Sequence, residues 1–167
     1  IGRLVTYKGY HYSIRAIRYL KDKFPTLCVS YIIVGSGPLY KELSTLVCSI
    51  GLSDTVFFES DVTESRKQFL LENADVFLFP SVSRSEAFGI AQLEAMSYSL
   101  PIINTSLNNG VNFVAPPDVA YTVKIKNSLQ ISKALAHILL NDDIFESFSK
   151  SSFQRSMDFD IKSVRAS

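Results

Sequence analysis

An α/β domain built on a parallel sheet is what this sequence predicts, on three observations. Short apolar runs at 28–34, 56–58, 76–79 and 101–105 have the length of buried strands. Segments with helical spacing or strong helix formers lie between them. The runs at 28–34 and 76–79 end on Gly or Pro, where a strand gives way to a loop. Strand, loop, helix, strand is the repeating unit of a parallel sheet, whose crossovers need a helix.

The chain has 167 residues, enough for one domain with a sizeable core, and 47% of them are hydrophobic. A formal net charge of +1 argues against a general nucleic-acid surface. Cys28 and Cys48 sit in apolar settings and are expected to be free and buried, as in a reducing compartment. No apolar run reaches the length of a membrane span, and no signal peptide is visible. The chain opens at Ile1 without a Met and is expected to be a fragment or excised domain.

In chain order, 2–9 reads Gly-Arg-Leu-Val-Thr-Tyr-Lys-Gly, a turn into a helix. Arg3 offers a planar fork and Lys8 a point charge, both suited to phosphate oxygens. Residues 10–24 carry Ile14, Ile17, Tyr19 and Leu20 at helical spacing, and His11 opens that helix as an exposed residue. The strand at 28–34 ends in Gly35-Ser36-Gly37-Pro38. This lacks the third glycine and the later acid of a dinucleotide fingerprint, so an oxidoreductase reading is weak. The next helix runs to Gly51, a natural stop. The strand at 56–58 and the loop at 61–65 lead to a helix at 65–73. Residues 128–140 carry Leu129, Ile131, Ala134, Leu135, Ile138 and Leu139 at helical spacing and read as a core-facing helix. A further helix is expected at 142–153, then a polar, mobile tail. Asp158-Phe159-Asp160 is read as a solvated pair of acids and not as a metal site.

The stretch 74–105 carries the chemistry. A strand ends at Pro80, a helix is expected over 90–98, and the loop between them holds Glu86 and Phe88-Gly89-Ile90. Unpaired N–H groups and the positive dipole end of a helix start suit phosphate. Gly89 lets a ligand approach the backbone. Glu94 falls on the same helix face as Ile90. A carboxylate one turn below a phosphate site is placed to accept two hydrogen bonds from ribose hydroxyls. Each such charged bond contributes about 1.5–3 kcal/mol.

Ser-Glu-Ala-Phe-Gly-Ile-Ala-Gln-Leu-Glu-Ala-Met at 85–96, followed by Leu-Pro-Ile-Ile-Asn-Thr at 100–105, resembles the E-x7-E signature of retaining glycosyltransferases of family four. The likeness extends over roughly 1–140 and includes the Gly-Arg-Leu…Lys-Gly and Val-Gly-x-Gly-Pro turns. It implies the C-terminal domain of a GT-B enzyme, a Rossmann-like doubly wound parallel sheet over 1–150 with a tail at 151–167. The family's first strand, central in such a sheet, is almost absent ahead of Gly2. The acceptor domain is expected to lie outside this chain.

The resemblance also implies roles. Arg3 and Lys8 grip the diphosphate of a nucleoside-diphosphate sugar, GDP- or UDP-linked, and neutralise the leaving group. Glu86 contacts the transferred sugar, with Phe88, Gly89 and Ile90 assisting through their backbone. Glu94 holds the ribose, and Val62 borders the base. No metal or other cofactor is expected. The acceptor is a glycan or lipid-linked glycan, and the setting is surface-polysaccharide synthesis in the cytoplasm, peripheral to the inner face of the membrane, with mannosyl transfer suggested. Residues 106–123 depart from the family pattern, with Asn112-Phe113 where Pro-Glu is usual, and supply no expected site residue. The alternatives are a nucleotide-sugar-binding module with no activity of its own, a dinucleotide-binding oxidoreductase domain and a nucleotide-sugar epimerase.

Overall fold

The computed structural model of the protein describes residues 1–159. After a 3-10 turn at Thr6–Lys8 come α1 (Tyr10–Lys23), β1 (Tyr31–Val34), α2 (Tyr40–Ser49), β2 (Val56–Glu59) and α3 (Glu64–Glu72). The second half runs β3 (Phe77–Phe79), α4 (Ile90–Ser97), β4 (Ile102–Thr105), α5 (Gly110–Val114), β5 (Ala120–Val123), α6 (Ser128–Leu139) and α7 (Asp142–Ser156). All strand pairing is parallel: β1 with β2, and β3–β4–β5 in that order. Beside the end of β1 runs the first loop, whose Gly2 and Leu4 N–H groups donate to the Val34 and Ser36 carbonyls.

Helices cover both faces, and strand alternation decides which side chain meets which layer. Ile103 of β4 and Val123 of β5 point into a core with Ile14, Ile17 and Leu20 of α1 and Ile131, Ala134 and Ile138 of α6. Ile102 and Ala120, one and three positions away on the same strands, point into the opposite core with Leu93 and Met96 of α4 and Val111 and Val114 of α5. Full burial of one such Leu or Ile contributes about 1.5–3 kcal/mol. No described helix is long and apolar enough to cross a membrane.

Three expectations need correction. Cys28 and Cys48 are free but exposed: β1 begins only at Tyr31, leaving Cys28 outside the sheet, and Cys48 lies on the outer face of α2. Leu129, expected on the core-facing side of its helix, is 54% exposed, and Tyr19, at helical spacing with core residues of α1, is 46% exposed. The segment 106–115 holds a short helix, α5, started by the Asn109 side chain accepting from the Val111 N–H. α7 continues to Ser156, three residues past the expected end. Asp158 pairs with Arg155 at 2.9 Å, whereas Asp160 and the rest of the expected tail lie outside the described residues.

Candidate active site

Two loops meet at the C-terminal end of β3. Gly9 has a φ of 71°, and a Cβ there would overlap the Pro80 carbonyl oxygen. Only glycine permits both the conformation and the approach. The Val82 N–H then donates to the Tyr7 carbonyl at 2.7 Å. This seam delivers Lys8 to Glu86: Nζ lies 2.5 Å from a carboxylate oxygen, and each side chain is 13% exposed. Ser81 Oγ donates to the same carboxylate at 3.2 Å. The Lys8 ammonium also lies 5.2 Å from the centre of the Phe79 ring, within cation–π range.

Glu94 meets a cation from elsewhere. Lys67 of α3 reaches it at 2.6 Å and also holds Glu64 at 2.9 Å. Burial pulls the Lys67 ammonium down, but hydrogen bonds to Glu94 and Glu64 outweigh it, and its pKa is raised. The two pairs lie on either side of the half-buried Ile1.

The expected site residues therefore divide. Lys8, Glu86, Gly89 and Glu94 gather around Phe79 and Ile1, since a Cβ on Gly89 would touch the Phe79 ring at 3.1 Å. Gly89 precedes α4 with no side-chain cap on the helix, which leaves its first amides open to a ligand. Arg3 is exposed and makes no ion pair among the described residues. Val62 is half-buried in the loop before α3, five residues ahead of Lys67. Phe88 and Ile90 are 38% and 63% exposed, and the Phe88 ring stands edge-on to Phe159 at 6.1 Å.

Sequence reasoning missed the groups that hold this loop. Asn109 Nδ2 donates to the Glu86 carbonyl at 2.6 Å, Arg84 donates to the Leu107 carbonyl at 3.2 Å, and Thr105 donates to the Ser81 carbonyl. Gln92, passed over as a helix former, is fully buried and donates to the Val111 carbonyl at 2.6 Å. Asn104 links β4 to Ala115 and accepts from Thr122, so a polar network joins α4, α5 and β5. The signal available was Asn109-Gly110, a helix-start dipeptide inside the segment that looked least familiar.

The Gly35-Ser36-Gly37-Pro38 turn also gains an explanation. A Cβ at Gly35 would overlap the Gly2 carbonyl, and one at Gly37 would crowd Leu4. These glycines serve the approach of the first loop.

Residues 1–155 match the family described as Glycosyl transferases group 1. The chain belongs to that family. Among its relatives, D-rhamnosyltransferase WbpZ of Pseudomonas aeruginosa is 34% identical over 114 residues, covering 68% of this chain and 28% of the relative. O-antigen chain mannosyltransferase C of Escherichia coli is 29% identical over 156 residues, covering 93% and 40%. The chain thus spans less than half the length of these curated relatives.

Solved structures agree on the fold. The C-terminal domain of a group 1 glycosyltransferase, LpcC, from Francisella tularensis superposes with a TM-score of 0.80 at 22% identity, covering 95% of this chain and 82% of that one. Anabaena Alr3699/HepE in complex with UDP gives 0.84 at 19% identity, covering 99% and 45%. This group 1 domain is α/β, with parallel sheets flanked by helices, one half of a GT-B fold.

Proposed function

We propose that this domain binds the nucleoside-diphosphate sugar donor of a retaining, family-four glycosyltransferase acting in bacterial surface-polysaccharide synthesis. The observation that carries the reading is the gathering of Lys8, Glu86, the uncapped start of α4 and Glu94 at the strand end of β3. Ligands of open α/β sheets bind at that edge.

In the resting state each acid is paired with a lysine. When donor enters, Lys8 exchanges Glu86 for the diphosphate, joined by Arg3 and the first amides of α4. Glu86, released, accepts from hydroxyls of the transferred sugar. Glu94 exchanges Lys67 for the ribose hydroxyls, and the backbone at Val62 borders the base. Transfer breaks the bond between the anomeric carbon and the diphosphate oxygen and forms one to an acceptor oxygen on the same face. The acceptor proton passes to the departing phosphate. Lys8 and Arg3 stabilise the charge that builds there, so no step needs a metal. The acceptor, a glycan or lipid-linked glycan, is held largely by a domain outside this chain, at the inner face of the membrane.

Relatives named for rhamnosyl and mannosyl transfer favour a hexose donor, with mannose first among candidates. Because the chain covers 28% and 40% of those two, binding without transfer by these residues alone is the second reading. A thermal-shift panel of GDP, UDP, ADP and their sugars tests the first. One nucleotide at a hundred times its dissociation constant is expected to stabilise by about 2.7 kcal/mol. No stabilisation by any of them would remove the proposal. Transfer assays with and without a complementary acceptor domain separate the two readings.

A further inference from the structure

Two adjoining hollows, of about 590 and 610 Å³, share His11, Tyr12 and Lys126 and form one groove. Its inner end is walled by Tyr7, Val82 and Ser83. The Tyr7 ring centre lies 5.8 Å from Lys8 Nζ, so this end borders the candidate site. Its outer end runs down α1 past Arg15 and Tyr19 to Asn127, Ser128 and Leu129 at the start of α6. Either hollow has room for about one monosaccharide unit.

The lining is not that of an ordinary surface. Tyr19 and Leu129, at positions whose spacing reads as core, stand 46% and 54% exposed along it. Large apolar side chains left open in a groove signal a partner. Of the three basic groups, His11 is engaged by Glu42 at 2.6 Å. Arg15 and Lys126 are exposed and form no ion pair among the described residues. Lys126 is held at a φ of 58°, a left-handed conformation that is unfavourable for a side-chain-bearing residue. Tyrosine rings pack against the apolar faces of sugars, and their hydroxyls bond to sugar hydroxyls. Two unpaired cations add a requirement for negative charge.

We infer that this groove is a binding site for an anionic saccharide, a phosphate- or carboxylate-bearing sugar whose charge meets Arg15 and Lys126 while its ring lies on Tyr12 and Tyr19. Its identification as part of the acceptor rests on the transferase reading above. The groove then leads an incoming glycan along α1 toward Lys8 and Glu86. It adds an acceptor subsite on the domain otherwise concerned with the donor.

The test is titration of the isotope-labelled chain with mannose 6-phosphate, glucuronic acid, mannose and inorganic phosphate, followed by the amide resonances of Lys126, Asn127 and Ser128. Mannose 6-phosphate or glucuronic acid is expected to move them at millimolar concentration. Mannose and phosphate alone should bind at least about fivefold more weakly, the scale of one exposed charge contact. The two acids distinguish phosphate from carboxylate as the source of charge. Arg15→Gln and Lys126→Gln should each weaken binding by roughly the same factor. Lys150→Gln, on the exposed face of α7, should leave it unchanged. Equal binding of free phosphate, equal binding of neutral mannose, indifference to both groove substitutions, or no response at all would each overturn the site. The same samples are scored for stabilisation by nucleotide. Nucleotide binding with a silent groove sinks this inference alone, and a responsive groove with no nucleotide binding sinks the donor reading alone.

Discussion

Lys8 and Glu86 meet at 2.5 Å between two loops, whereas Lys67 and Glu94 meet at 2.6 Å between two helices. The distances are alike and the means are not. The first pair is set by backbone: Gly9 abuts Pro80, Val82 bonds to Tyr7, and Asn109 ties the Glu86 carbonyl from the far side. The second is set by side chains alone, and Lys67 has Glu64 as a second partner. The position of Glu86 is therefore inseparable from folding. The position of Glu94 is adjustable, and on the proposed roles changes there should alter binding while sparing the fold.

The largest expected effect tests the rigid side. Gly9→Ala adds a left-handed penalty of about 1–2 kcal/mol to an overlap costing about 1–3 kcal/mol. Urea unfolding should register roughly 2–5 kcal/mol lost. A loss well under 1 kcal/mol would mean that the loops can part, and the contrast would dissolve. Glu94→Ala should abolish nucleotide-dependent stabilisation, about 2.7 kcal/mol at a hundred times the dissociation constant, while the free protein stays folded. Undiminished binding would end the ribose assignment.

Lys8→Gln is expected to do both kinds of harm, since it leaves Glu86 with Ser81 and no full charge partner. It should cost about 1–3 kcal/mol of stability by denaturation and weaken nucleoside diphosphates far more than nucleosides by calorimetry. Lys67→Gln gives the mildest outcome. Glutamine keeps a donor for Glu94 but removes a positive charge, so stability should fall by about 1 kcal/mol or less. Because Lys67 is the partner Glu94 must give up, affinity for a nucleoside diphosphate and for the bare nucleoside should then rise together, by roughly threefold or less. A loss for both ligands would show that Lys67 positions Glu94 rather than competing for it.

What the sequence made legible follows the reach of each interaction. β3, its loop and α4 were readable because strand length, Pro80 and a run of helix formers are local signals. The parallel sheet followed from the alternation of such units. Lys8 and Glu86 were named separately, but no local pattern says that they touch. Lys67 went unremarked because its partner Glu94 lies on another helix. Asn109 was passed over because its service to Glu86 spans 23 positions and lies in a segment with no familiar wording. Tyr19 and Leu129 erred in the other direction: helical spacing reports a face, and only packing of α1 against α6 reveals where that face opens into a groove.

The mutual pairing of both acids sets a condition on entry. At rest Lys8 and Lys67 are already committed to Glu86 and Glu94, so stray anions gain little by lodging between them. On the proposed roles, free pyrophosphate would displace one partnership and a bare nucleoside the other, each leaving half the lock closed. A molecule that carries an anionic bridge and a vicinal diol at the right separation would open both together, which would make the empty domain a two-key filter.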